Sequence, residues 1–156
     1  MPVALTQMRR SNRDASAILV GSGASAMTDV SGFGLIGHLG EMLAASGAEA
    51  ALDLAAIPLL EGAHALARTG VASTLLPENL ALAALLRTEV DAATRALLFD
   101  PQTAGGLLAG VPAERAVSCV AALRSAGHAH AAVIGRVTRT GLAASEVGLG
   151  TTGALA

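Results

Sequence analysis

Three glycines within six residues, Gly32, Gly34 and Gly37, stand in the stretch Thr28-Asp29-Val30-Ser31-Gly32-Phe33-Gly34-Leu35-Ile36-Gly37-His38. No other stretch constrains the fold as much. A short extended piece, Ala26 to Val30, leads into it. A helical pattern running to about Ser46 leads out, with Leu35, Ile36, Leu39, Met42 and Leu43 at the spacing of one apolar face. The chain must turn from strand into helix over a few residues, and glycines let backbones approach closely at such a corner. Gly47 follows where a helix end takes a left-handed residue.

This corner has a chemical reading and a local one. The first turn of a helix presents unpaired N–H groups and the positive end of its dipole, which suits an anion such as phosphate. Asp29 beside such a site can hold Mg²⁺, because hard cations take carboxylate and phosphate oxygens together. Locally, Asp29 or Ser31 serves only to cap the helix. The segment also spells G-x-G-x-x-G, with Asp53 near the place of a ribose-binding acid. A dinucleotide-binding module is therefore a rival. The strand before Gly32 lacks the apolar run of a buried parallel strand, and Asp29 would repel a pyrophosphate unless a metal intervened.

A second loop, Phe99-Asp100-Pro101-Gln102-Thr103-Ala104-Gly105-Gly106-Leu107, is rich in turn residues. Gln102 and Thr103 offer polar contacts, and the glycines expose backbone N–H groups. For Asp100 the favoured role is a bond to its own backbone ahead of Pro101.

The remaining elements read as follows. Leu5 to Val20 is one helix, closed by Gly21 and Gly23. Ala51 to Leu54 is a strand. Pro58 opens a helix that Gly70 ends. Val71 to Glu78 is a loop, and Asn79 caps a short helix through Leu86. Ala96 to Phe99 and Leu107 to Val111 are strands in a hairpin-like connection. Pro112 starts a helix with Glu114 in its first turn and Gly127 at its end. Ala131 to Val137 is the last strand, and the Gly- and Thr-rich tail over 139–156 is loosely ordered. Alternating short strands and helices predict an α+β fold, a mixed β-sheet packed with helices, as one domain over 4–138.

Composition narrows the function classes. Of 156 residues 53% are apolar and 14% charged, which excludes a disordered, self-repelling chain. No Trp or Tyr and only two Phe leave almost nothing for bases to stack on. The ten basic residues are all Arg and are scattered, so no nucleic-acid stripe is expected. Without Lys there is no Schiff-base or P-loop lysine. No stretch reaches about 18 uninterrupted apolar residues, so no membrane span is expected. The single cysteine, Cys119, forms no internal disulfide and is read as helix packing, in keeping with a cytoplasmic location. His38, His64, His128 and His130 lack the Cys or carboxylate spacing of a zinc site. His38 follows the glycine loop, within reach of a phosphate bound there, but is read in preference as a helix-surface or core residue.

The stretches 28–38 and 100–108 resemble the two signature loops of the selenophosphate synthetase (selenide, water dikinase) family. Leu52-Asp53-Leu54 through Pro58-Leu59-Leu60-Glu61-Gly62-Ala63 and Ala132-Val133-Ile134-Gly135-Arg136-Val137 resemble it too. The resemblance spans about Ala4 to Thr138, with Ser31 where Thr is usual and Ala104 where Ser is usual. It implies the C-terminal domain of an aminoimidazole ribonucleotide synthetase-like protein. The family converts ATP, selenide and water to selenophosphate, AMP and phosphate with Mg²⁺. Its reactive Cys or selenocysteine, its essential Lys and most of its metal-binding Asp residues belong to an N-terminal ATP-binding domain that lies outside these residues. The resemblance makes Asp29 a metal ligand and leaves Gly32, Gly34 and Thr103 as candidates for nucleotide binding. It assigns this chain no catalytic residue. By itself the chain is expected to be inactive, and the sequence does not decide whether a separate N-terminal domain chain is its partner or whether it forms homodimers. The alternatives are a non-catalytic remnant or interaction module, and the dinucleotide-binding module through Gly32, Gly34 and Gly37.

Overall fold

The computed structural model describes residues 2–139 and 147–151. In chain order the elements are α1 (Pro2–Met8), α2 (Arg13–Gly21), β1 (Ala26–Asp29), α3 (Gly34–Ser46) and β2 (Ala48–Leu52). A 3₁₀ turn, Leu54–Ala56, leads to α4 (Ala63–Arg68) and α5 (Leu76–Asn79). A second 3₁₀ segment, Leu80–Leu85, precedes α6 (Ala92–Leu98), β3 (Leu107–Pro112), α7 (Ala113–Ser125), β4 (Ala132–Arg139) and β5 (Val147–Thr151). The described strands form one sheet in the order β1-β3-β5-β4-β2.

All four pairings in that sheet are antiparallel. The α+β class stands, while the expected mixed sheet is antiparallel throughout the described strands. Helix α3 joins β1 to β2 at opposite edges, and α7 joins β3 to β4 with β5 between them. Neither pair of helix-linked strands lies side by side, so neither pairs in parallel.

Helices cover both faces. The interior strand β3 is buried from Leu107 to Val111, as its apolar run Leu-Leu-Ala-Gly-Val requires. Successive side chains point to opposite faces. Leu107, Ala109 and Val111 pack with Ala15 and Leu19 of α2 and Ala116, Cys119 and Leu123 of α7. Leu108 packs on the other side with Leu35, Ile36 and Leu39 of α3, Leu98 of α6, and Phe99. Cys119 is buried packing, as read from its helix.

Several expectations shift. The helix over Leu5–Val20 is two helices, because Ser11 and Asn12 turn their side chains to other partners. Ser11 Oγ accepts from the Arg13 N–H at 3.2 Å, and Asn12 Nδ2 donates to the Gly105 carbonyl at 3.1 Å. The strand at Ala51–Leu54 instead starts at Ala48, directly after left-handed Gly47 (φ 58°). The helix does not open at Pro58. It begins at Ala63, because Gly62 before it is left-handed (φ 82°). The expected loop 71–78 contains the start of α5.

The expected strand Ala96–Phe99 is the end of helix α6. Asp91 Oδ1 caps that helix, accepting from the N–H groups of Ala93 at 3.0 Å and Thr94 at 3.1 Å. A short apolar run cannot by itself distinguish strand from helix. There is accordingly no hairpin into β3, whose neighbours are β1 and β5. Within the tail, Val147–Thr151 form β5, which enters the sheet between β3 and β4. The rest of the tail, 140–146 and 152–156, lies outside the described residues. No helix among the described residues is long and apolar enough to cross a membrane.

Candidate functional site

The two glycine-bearing loops, some seventy positions apart in the sequence, meet at one end of the sheet. Asp29 stands opposite Leu107 in the β1–β3 register. Past that pair the contact continues. The Val30 N–H donates to the Gly106 carbonyl at 2.8 Å, and the Gln102 N–H donates to the Ser31 carbonyl at 3.0 Å. Gly105 is the tightest point of the junction. A Cβ there would lie 1.8 Å from the Val30 carbonyl oxygen, so only glycine fits. Gly34, with φ 69°, sets the corner into α3, and its missing Cβ makes room for the Phe99 backbone, which would lie 2.7 Å away.

Two asparagine amides tie this junction to distant elements. Asn79 Nδ2 donates to the Gly32 carbonyl at 2.8 Å and to the Phe99 carbonyl at 2.9 Å. Asn12 does the same for Gly105. The sequence reading made Asn79 a helix cap. Its side chain makes no cap bond, because burial commits it to the two loop carbonyls. Neither asparagine carries a sequence signal for this role, since the partners are backbone carbonyls far along the chain.

Asp29 is exposed at the end of β1. The expected capping role falls to neither Asp29 nor Ser31. The N-cap of α3 is Phe33, without a side-chain cap bond. The α3 N-terminus is also less open than the sequence suggests. The Phe33 N–H donates to His38 Nε2 at 3.4 Å, and the Gly34 N–H donates to the Ser31 carbonyl at 3.0 Å. His38 is buried, with its ring tilted on Phe33. Its Nε2 lies 3.3 Å from Ser31 Oγ, and its Nδ1 lies 3.1 Å from Glu41 Oε2. Glu41 was not singled out from sequence. Its place three residues after His38 on a helix is the signal that could have found it.

The other candidates spread more widely. Thr103 is exposed in the second loop, next to buried Gln102, while Gly32 is exposed in the first. No neighbour lies within 4 Å of a Cβ built on Gly32. Asp100 is half-buried between α4 and α6, beside Ala63, Leu66, Ala67 and Leu97. Among the described residues no backbone N–H bonds its carboxylate in the expected way, and burial alone acts on it. Burial pushes its carboxyl up from the ordinary carboxylate value. His64 and His130 are exposed, and His128 is buried.

The G-x-G-x-x-G reading fails on topology. A dinucleotide fold needs neighbouring parallel strands around the helix, whereas β1 and β2 sit at opposite edges of an antiparallel sheet. A Cβ on Gly37 would lie 2.5 Å from Phe33 Cβ, so that glycine serves packing. Asp53 accepts from the Ala55 N–H at 3.1 Å, capping a 3₁₀ turn.

Among the described residues no three His, Cys, Asp or Glu side chains gather as a metal-binding group. The donors near the corner are hard oxygens, the Asp29 carboxylate and the Ser31 hydroxyl. They fit a share of a Mg²⁺-type site whose other positions come from phosphate, water or another domain.

Comparison with known proteins gives this site a context. The family model described as "AIR synthase related protein, C-terminal domain" matches residues 2–147. A selenide, water dikinase of Caldanaerobacter subterraneus is 38% identical over 138 residues, 86% of this chain and 40% of the relative. One of Myxococcus xanthus is 44% identical over 116 residues, covering 72% of this chain and 33% of the relative. One of Escherichia coli is 44% identical over 102 residues, 64% of this chain and 29% of the relative. The chain thus spans well under half the length of these relatives.

Proposed function

Since the chain belongs to the AIR synthase related protein, C-terminal domain family, we propose that it works as the second half of a selenide, water dikinase. In this reading it contributes one wall of a site that makes selenophosphate, AMP and phosphate from ATP, selenide and water. The single observation that carries the reading is the junction itself. The two loops that resemble the dikinase signatures are joined backbone to backbone, with Asp29 exposed at their edge.

A divalent cation at such an edge neutralises phosphate charge and fixes the geometry of transfer. Asp29 supplies a carboxylate oxygen to it. Gly32 keeps side chains away from the mouth of the loop. The resemblance to the dikinases assigns the reactive thiol or selenol, a lysine and further carboxylates to a domain beyond these residues, in keeping with a chain that has no Lys and whose one thiol is buried. The chain is therefore inactive until it meets that domain.

The test is complementation. The purified chain is combined with the N-terminal domain of the Myxococcus xanthus relative, and selenide-dependent AMP formation is followed anaerobically with Mg²⁺. The chain alone should give no AMP, and the pair should. In the pair, Asp29→Asn should lower turnover by at least about tenfold, the loss typical when even an outer partner of a metal is removed. Extra Mg²⁺ should restore part of it, with the melting temperature unchanged. Selenide-dependent turnover by the chain alone, or normal turnover of Asp29→Asn, sinks the reading.

A further inference from the structure

The hydrogen-bond chain Ser31–His38–Glu41 has a defined polarity. The Phe33 amide donates to His38 Nε2. A backbone N–H can only donate, so Nε2 is the unprotonated ring nitrogen and the ring proton sits on Nδ1. Glu41 Oε2, at 3.1 Å, accepts from that Nδ1–H. Ser31 Oγ faces the same Nε2 at 3.3 Å. Opposite a nitrogen without a proton, the hydroxyl must be the donor. One Nε2 lone pair then serves two donors, which accounts for the length of both contacts, 3.3 and 3.4 Å.

The consequence lies at the mouth of the loop. The only proton of the Ser31 hydroxyl points to His38, and its oxygen is left as an acceptor. The Phe33 and Gly34 N–H groups are also engaged, by His38 and by the Ser31 carbonyl. A bare anion arriving at the Phe33–Gly34 turn meets a carboxylate, an acceptor-only hydroxyl and two amides that are already engaged. A hard cation meets two oxygen donors placed two residues apart, at Asp29 and Ser31.

We propose that His38 and Glu41 are positioning residues that present the Ser31 oxygen to a divalent cation, so that Asp29 and Ser31 together, rather than Asp29 alone, form this chain's share of the metal site. This rests on the reading of Asp29 as a ligand given above. In it an exposed residue outside both loops, Glu41, is joined to the site through its contact with His38 Nδ1. Glu41 fixes the histidine tautomer, and the tautomer fixes the direction of the serine proton.

The test uses the isotope-labelled 156-residue chain. Nitrogen-15 spectra of His38 should show the proton on Nδ1, and a proton on Nε2 overturns the inference. Mn²⁺ is then titrated in, and paramagnetic broadening of the Gly32 amide is followed. Asp29→Asn should abolish the broadening. Ser31→Ala and Glu41→Ala should each require about tenfold more Mn²⁺ for the same broadening, and Ser31→Thr should restore it. Glu41 is exposed, so its truncation leaves the packing in place. Glu41→Gln keeps an acceptor for Nδ1–H and should behave like the unsubstituted chain. A loss in Glu41→Gln equal to that in Glu41→Ala would show that charge alone matters and overturn the positioning role. If Asp29→Asn acts but Ser31→Ala and Glu41→Ala do not, this inference fails and the reading of Asp29 stands. Broadening that is missing, or that survives Asp29→Asn, overturns both.

Discussion

The two faces of β3 carry different kinds of core. Toward α2 and α7 it meets aliphatic and small side chains, with Leu19 and Leu123 fully buried. Toward α3 and α6 it meets Leu35, Ile36, Leu98 and Phe99, and this core runs out into buried polar residues, His38, Asn79 and Gln102. An aliphatic core is satisfied by burial alone. A core edged with polar groups calls for partners for them, and of these three residues only Gln102 keeps a buried side-chain nitrogen, Nε2, without one. For Asn79 those partners are the carbonyls of Gly32 and Phe99, and for His38 they are Ser31, Phe33 and Glu41. One face holds the sheet together, and the other gives the site its shape.

The harshest test of that contrast is Gly105→Ala. Its Cβ would meet a backbone carbonyl that cannot rotate away. The variant should fail to fold or lose on the order of 4 kcal/mol. Gly32→Ala, in open space on the partner loop, should stay within about 0.5 kcal/mol. Urea midpoints decide it, and equal midpoints would mean that the two loops do not meet at Gly105.

On the aliphatic face, Leu123→Ala should cost about 2–5 kcal/mol, the range for truncating a buried leucine. The spectrum of His38 should not change in that variant. A shifted His38 tautomer would show that the two faces are coupled through β3.

Asn79→Ala should cost about 1–3 kcal/mol, because two loop carbonyls lose their donor. Amide exchange should quicken around Gly32 and Phe99 while α7 stays protected. Equal acceleration in both regions would erase the distinction between the faces.

The smallest effects are those of pH. Hydrogen bonds from Thr94 hold the Asp91 carboxyl below its ordinary value. The unfolded state takes up that proton first as pH falls. Asp91 therefore contributes stability above the ordinary carboxylate range and loses it as the solution is acidified through its folded value. Burial of Asp100 has the opposite sign. Its charged form is disfavoured in the fold, so the penalty is present at neutral pH and fades as pH falls through the raised value. Asp100→Asn should raise the melting temperature at neutral pH, and Asp91→Ala should lower it. A melting temperature of Asp100→Asn that tracks the unsubstituted chain at every pH would mean that this carboxylate is solvated.

Local signals were legible in the sequence. The strand-to-helix corner at 26–46, the left-handed Gly47 (φ 58°), the helix after Pro112 and its stop at Gly127 (φ 91°) all stand in the structure. They rest on backbone sterics and on bonds between near neighbours, which residue types report directly. The two loops were legible as glycine-rich turns and, by resemblance, as a pair. Their meeting was not derivable from either loop alone.

The rest was decided by tertiary structure. The antiparallel order β1-β3-β5-β4-β2, the entry of β5 between β3 and β4, and the helical state of Ala92–Leu98 depend on which faces were available to bury. Asn12 reaches Gly105 across 93 positions, and Asn79 reaches Gly32 across 47. An asparagine amide can donate to any carbonyl, so its residue type names no partner. Within the site, the sequence by itself determined that an acid precedes a glycine corner at Asp29. Only the packed fold decided that this corner would be closed by a distant loop, tied by two asparagines and held by a histidine whose tautomer Glu41 sets, because each of those bonds joins groups that only burial brings together.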